Sequence, residues 1–79
     1  MNKNQIELLI ENGYEVLEDI GYIHELTLNS PKVCIVYNSL LKQFCLNTYG
    51  TTLNPDEIKP FQDEVNYKSN LVNKLNELK

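Results

Sequence analysis

Three side chains in this 79-residue chain have the right types for covalent chemistry: one histidine, His24, and two cysteines, Cys34 and Cys45. A thiol becomes a useful nucleophile when a base lies within hydrogen-bond reach. Alternation through "YIHELTL" places Tyr22, His24, Leu26 and Leu28 on one strand face, and Ile23, Glu25 and Thr27 on the other. The strand pairing developed below puts both cysteines on the face opposite His24, so the sheet separates the base from the thiols. One histidine and two cysteines also fall short of the four ligands of a structural zinc site. The neighbouring carboxylates Asp56-Glu57 and Asp63-Glu64 lie in a helical segment, where capping and solvation account for them. The chain has no phosphate loop, nucleophile elbow, dinucleotide fingerprint or zinc spacing. The expectation is a non-enzyme with no catalytic residue, no metal and no cofactor.

Charge carries more information. Residues 4 to 31 hold six acids (Glu7, Glu11, Glu15, Glu18, Asp19 and Glu25) and no lysine, whereas residues 32 to 79 hold five acids and six lysines. The net charge of −4 is therefore concentrated in the N-terminal part. Glu7 and Glu11 stand four apart on a helix, a mildly unfavourable like-charge pair, so local stability does not explain the cluster. The chain contains no arginine. Arginine is the side chain best suited to bidentate contacts with phosphate and guanine, so direct nucleic-acid binding is not expected.

Composition sets the setting. Hydrophobic residues are 42% and charged residues 23%, ordinary for a globular domain and too apolar for disorder. One domain, residues 1–79, with a thin core is expected at this length. The longest apolar run, "VCIVY", is far too short to span a membrane, and "IELLI", broken by Glu7, is no secretory signal, so the cytoplasm is the expected compartment. Two cysteines inside strand-like stretches read as small buried hydrophobes kept reduced. Eleven asparagines, seven lysines and six isoleucines, with no alanine, match AT-rich codon usage. Such a chain is expected from a low-GC bacterium or one of its phages or mobile elements.

The elements that must position these groups follow from periodicity. Asn4 with Glu7 makes a capping-box pattern, Ile6, Leu9 and Ile10 share a helical face, and Gly13 is a helix-ending residue, so the first helix is expected over residues 4–12. An extended segment starts at Tyr14, and Gly21 turns it into "YIHELTL". "NSPK" is a turn, "VCIVY" a strand and "KQFCLNT" another. Closing a loop at residues 29–32 sets Leu28 opposite Val33, Leu26 opposite Ile35 and His24 opposite Tyr37. Closing a second loop at residues 38–41 sets Ile35 opposite Phe44 and Cys34 opposite Cys45. One face then collects Leu26, Leu28, Val33, Ile35, Tyr37, Phe44 and Leu46, as a one-sided sheet requires. Asn54 as cap, Pro55 in the first turn and the following acids open a C-terminal helix. Its stripe comprises Ile58, Phe61, Val65, Leu71, Val72, Leu75 and Leu78, and Pro60 should break or kink it. The predicted fold is α+β: a two-layer α-β-β-β-β-α arrangement, an antiparallel meander with both helices on one face. Its predicted core is Leu26, Val33, Ile35, Phe44, Phe61, Val65 and Leu75.

Two surfaces become candidates for contact. Glu11, Glu15, Glu18, Asp19 and Glu25 form an expected docking patch for a protein with a basic surface. Ile23, Cys34, Val36 and Cys45 make the second sheet face more apolar than solvation requires, and form a possible second interface, for an adaptor or a homodimer. Small acidic phage-encoded inhibitors, some anti-CRISPR proteins among them, are similar in size, charge and α+β organisation. That similarity is one of class, and it implies a module that modulates a host protein by occluding a basic site.

Overall fold

The first helix, α1, runs over Lys3–Glu11, starting and ending one residue earlier than its sequence signals imply. Asn2 is the cap, and Gln5 completes the capping box. Asn2 Oδ1 accepts from the Gln5 N–H at 2.9 Å, and the Asn2 N–H donates to Gln5 Oε1 at 2.9 Å. The Asn4/Glu7 pattern was a near copy of this pair displaced by two residues. Gly13, at φ +86°, ends the helix as expected, its N–H bonded to the Ile10 carbonyl. Leu9 is fully buried, but Ile10 is exposed, so the buried face is rotated toward Gln5 and Leu8. A computed structural model describes residues 1–17, 21–26, 32–47 and 55–78 of the chain.

Four short strands follow: β1 (Tyr14–Leu17), β2 (Tyr22–Glu25), β3 (Cys34–Asn38) and β4 (Gln43–Asn47). Among the described residues they form two antiparallel hairpins, β1–β2 and β3–β4, and no ladder joins β2 to β3. The expected single meander is corrected in this respect, although the α+β arrangement of four strands between helices stands. The expected pair Leu28–Val33 lies outside the described residues. The backbone at the start of β3 explains the missing ladder. The N–H groups of Lys32 and Val33 donate to Glu64 Oε2, and the Val33 carbonyl accepts from Lys68 Nζ. A helix supplies the partners that a neighbouring strand would have supplied.

In β3–β4 the register pairs Ile35 with Leu46, Val36 with Cys45 and Tyr37 with Phe44. The expected register is thus out by two residues. A two-residue slip preserves side-chain parity, so the inward face predicted for this hairpin is unchanged. Cys34 now faces Asn47 and not Cys45, which makes the two thiols diagonal neighbours. The slip comes from the turn. Asn38 pairs with Gln43, its Oδ1 accepts from the N–H groups of Leu40 and Leu41, and Lys42 takes a left-handed φ of 55°.

The β1–β2 register pairs Tyr14 with Glu25, Glu15 with His24, Val16 with Ile23, and Leu17 with Tyr22. Tyr14 and Ile23 are buried, and Val16 packs against the same core. The face expected for β2 is therefore inverted. His24 is exposed, Leu26 is 60% exposed, and Ile23 belongs to the core.

The C-terminal segment begins with α2 (Pro55–Ile58), passes through a 3-10 turn (Lys59–Phe61) and continues as α3 (Gln62–Glu77). The break falls at Pro60, as expected from its missing N–H; Asn54 lies outside the described residues. Leu71, Val72 and Leu75 are buried and meet Leu9, Tyr14, Ile23, Ile35 and Phe44 in one core. Tyr37 and Phe44 pair across the hairpin with ring centroids 5.0 Å apart. Phe61 and Val65 are only partly buried, and Leu26 is outside this core.

Amide side chains join the layers. Gln5 Nε2 donates to the Leu75 carbonyl at 2.9 Å and to that of Leu78 at 3.0 Å, and Asn2 Nδ2 also reaches Leu78. The cap of α1 thereby serves the carbonyls at the far end of α3. Asn76 uses both ends of its amide on Phe44, accepting from its N–H at 2.8 Å and donating to its carbonyl at 3.1 Å. No helix among the described residues is long and apolar enough to cross a membrane.

Candidate functional site

The outward side of β1–β2 follows directly from its register. With Tyr14, Val16 and Ile23 turned to the core, the alternate positions Glu15, Leu17, Tyr22 and His24 turn to solvent, and all four are exposed. Glu15 stands opposite His24, and Leu17 opposite Tyr22. Leu17 is 41% exposed and Tyr22 48%. The Tyr22 and His24 rings lie near-parallel, 15° apart, with centroids separated by 6.1 Å. Leu26, next in the alternation, extends the same side, and its N–H is bonded to the Gly13 carbonyl at 2.9 Å. Two leucines and a tyrosine thus share an exposed sheet face with a carboxylate. α1, whose Glu7 and Glu11 are exposed, leads directly into β1.

The expected acidic patch divides on this fold. Glu11 and Glu15 are exposed, and Glu18 and Asp19 lie outside the described residues. Glu25 is removed from it. Its side chain is only 10% exposed, and its carboxylate lies 2.6 Å from Lys68 Nζ. Inversion of the β2 face accounts for this, because Glu25 shares the inward side with Ile23.

Lys68 is the residue that sequence reasoning missed. It occupies a position on the apolar stripe of α3, between Val65 and Val72, and is 1% exposed. Its ammonium forms an ion pair with the Glu25 carboxylate and donates to Glu64 Oε2 at 2.9 Å and to the Val33 carbonyl at 2.8 Å. Burial alone would raise the Glu64 pKa. The hydrogen bond from Lys68, the N–H of Val33, the Lys68 charge and the N–H of Lys32 together outweigh it and hold that carboxyl below its ordinary value. Tyr14 lies beside this cluster. Its hydroxyl has no hydrogen-bond partner among the described residues, and burial followed by the Glu25 charge drives its pKa up, so it stays neutral. The Glu64–Lys68 spacing of four residues was a legible signal, although the burial of the pair was not.

The second expected interface also divides. Ile23 is in the core and cannot contribute. Cys34, Val36 and Cys45 do share the outward side of β3–β4, partly buried, and both thiols are free. The expectation that His24 is on the core side is overturned, since it is exposed on the other hairpin. Between α1 and α3 a shallow cavity of about 250 Å³ is floored by Leu8 and Leu71 and rimmed by Asn12, Tyr67, Asn70 and Lys74. That is below the roughly 300 Å³ at which small-molecule sites usually begin, so the hairpin face is the stronger candidate.

Compared with models of protein families, with curated proteins and with solved structures, the chain matches none.

Proposed function

We propose that the chain is a non-enzymatic protein-binding module that docks on a basic surface of another protein through the outward side of β1–β2. The observation that carries this reading is the exposure of Leu17, Tyr22 and Leu26 around Glu15, in a segment that also exposes Glu7 and Glu11 and contains no lysine from residue 4 to residue 31. Exposed apolar and aromatic groups supply contact area, and uncompensated negative charge selects the partner and speeds encounter. In its most specific form the module is an inhibitor that occludes a basic site on a host protein, in the manner of anti-CRISPR proteins, encoded by a phage or other mobile element and acting in the bacterial cytoplasm. The partner, and not the module, would touch nucleic acid.

Charge reversal at Glu11 and Glu15 tests the reading, with reversal of Asp63 and Glu77 on α3 as the matched control, because all four residues are exposed. Glu64 and Glu25 are unsuitable for either arm, since both hold Lys68. Binding partners recovered by the wild type should be lost from the first variant and retained by the second, and capture should weaken as salt rises. Equal losses from both variants would mean that net charge alone governs capture, and would sink the localised site.

A second reading has its own observation. Leu40 is 92% exposed and Leu41 63% at the tip of β3–β4, next to the outward side bearing Cys34, Val36 and Cys45. A homodimer or adaptor contact would use that hairpin. Light scattering on a Leu40→Ser/Leu41→Ser variant tests the homodimer: a dimer that dissociates supports it, and a wild-type monomer at high concentration removes it.

A further inference from the structure

We infer that the anchoring group of the partner is an arginine side chain, its guanidinium laid against Tyr22 and bound by Glu15. This rests on the docking reading above and names what the same surface takes.

Glu15 faces His24, and Tyr22 faces Leu17, so Glu15 and Tyr22 are diagonal neighbours on one outward side. Diagonal positions lie about 7–8 Å apart, within the span of one long side chain that touches both. Tyr22 is half exposed, and the ring of His24 is stacked beside it, 6.1 Å away between centroids. Among the described residues no ion pair engages Glu15, and no lysine occurs from residue 4 to residue 31. No lysine of this segment complements Glu15, and no ion pair joins it to His24 opposite.

Arginine fits both features at once. Its plane stacks on an aromatic face, and its fork of N–H donors matches a carboxylate bidentately. Lysine, a compact and strongly hydrated charge, can satisfy the carboxylate but gains less from the ring. Leu17, across from Tyr22, offers apolar cover for the methylene stem. A second copy of this chain is not the occupant. It contains no arginine, and an isologous contact would bring the Glu15 of one copy toward that of the other.

The test uses the full chain, labelled with nitrogen-15, and three blocked twelve-residue peptides that alternate glycine and leucine with four arginines, four lysines or four citrullines. The arginine peptide should shift the amide signals of β1 and β2, bind about fivefold or more tighter than the lysine peptide, and outbind the neutral citrulline peptide by a wider margin. Tyr22→Leu should abolish the arginine–lysine difference, Tyr22→Phe should keep it, and Glu15→Gln should weaken both cationic peptides. Equal affinity for arginine and lysine peptides, unchanged by Tyr22→Leu but weakened by Glu15→Gln, would overturn the arginine anchor while the docking surface survives. Shifts confined to other elements, or none at all, would overturn the docking reading together with the anchor.

Discussion

Replacing Lys68 with methionine removes one charge and little volume from the most buried ion cluster among the described residues. What remains is the Glu25 carboxylate, 10% exposed, facing that of Glu64, 20% exposed, with the Val33 carbonyl deprived of its donor. Removing one partner of a buried pair typically costs about 3–5 kcal/mol, because the other charge is left desolvated and unpaired. An exposed pair would cost only about 0–1 kcal/mol. At about 0.05–0.15 kcal/mol per residue, 79 residues have roughly 4–12 kcal/mol in total, so this one change removes about a quarter or more. With a urea slope near 1 kcal/mol per molar, at the low end for small domains, the midpoint should fall by about 3–5 M. The loss should persist in 0.5 M salt, since a buried pair is screened weakly. A second substitution separates charge from packing. Adding Glu25→Leu to Lys68→Met removes the more buried of the two carboxylates, while Glu64 keeps its bonds from the N–H groups of Lys32 and Val33. The double variant should therefore recover much of the loss. If Lys68→Met alone unfolds at the wild-type midpoint, Lys68 is not buried among carboxylates, and the account of how α3 replaces a strand beside β3 fails with it.

Three further outcomes are expected. Ile35→Ala should cost about 2–5 kcal/mol in urea unfolding, whereas Leu26→Ala, at a 60% exposed position, should stay within about 0.5 kcal/mol; comparable losses would restore the discarded face of β2. Gln5→Ala should cost about 1–3 kcal/mol and speed amide exchange in the last turn of α3 as well as the first turn of α1, because one side chain caps both; an effect confined to α1 would refute the joint cap. Glu64 is held below its ordinary value of 4.5, so the folded state binds this proton less readily than the unfolded chain. Its contribution is complete above that pH and is lost as pH falls through the lowered folded value. Glu64→Gln should therefore flatten the stability curve below about pH 4.5, and an unaltered acid limb would contradict the Lys68 hydrogen bond.

Local chemistry made much of the chain legible. Gly13 stops α1 because a left-handed residue is needed there, and Pro60 interrupts the C-terminal helix because it lacks a donor. The inward face of β3–β4 was readable despite a register error, because a slip of two residues leaves alternation intact. The excess of acids over lysines in the N-terminal part was likewise plain in the residues themselves. The sidedness of β2 was not. In four residues the pattern Tyr22, Ile23, His24, Glu25 offers an apolar group to either side, so alternation alone cannot orient it. Tertiary packing decides, since Ile23 joins the core while Glu25, on the same side, meets Lys68 from α3. Lys68 itself reads in the sequence as a solvated lysine, since a cation is almost never fully buried without partners. Its partners come from β2, from the start of β3 and from one turn back along α3, a convergence that exists only in three dimensions. The same convergence leaves Glu15, Leu17, Tyr22 and Leu26 facing solvent, because a two-stranded sheet turns one side outward once the other is committed to the core.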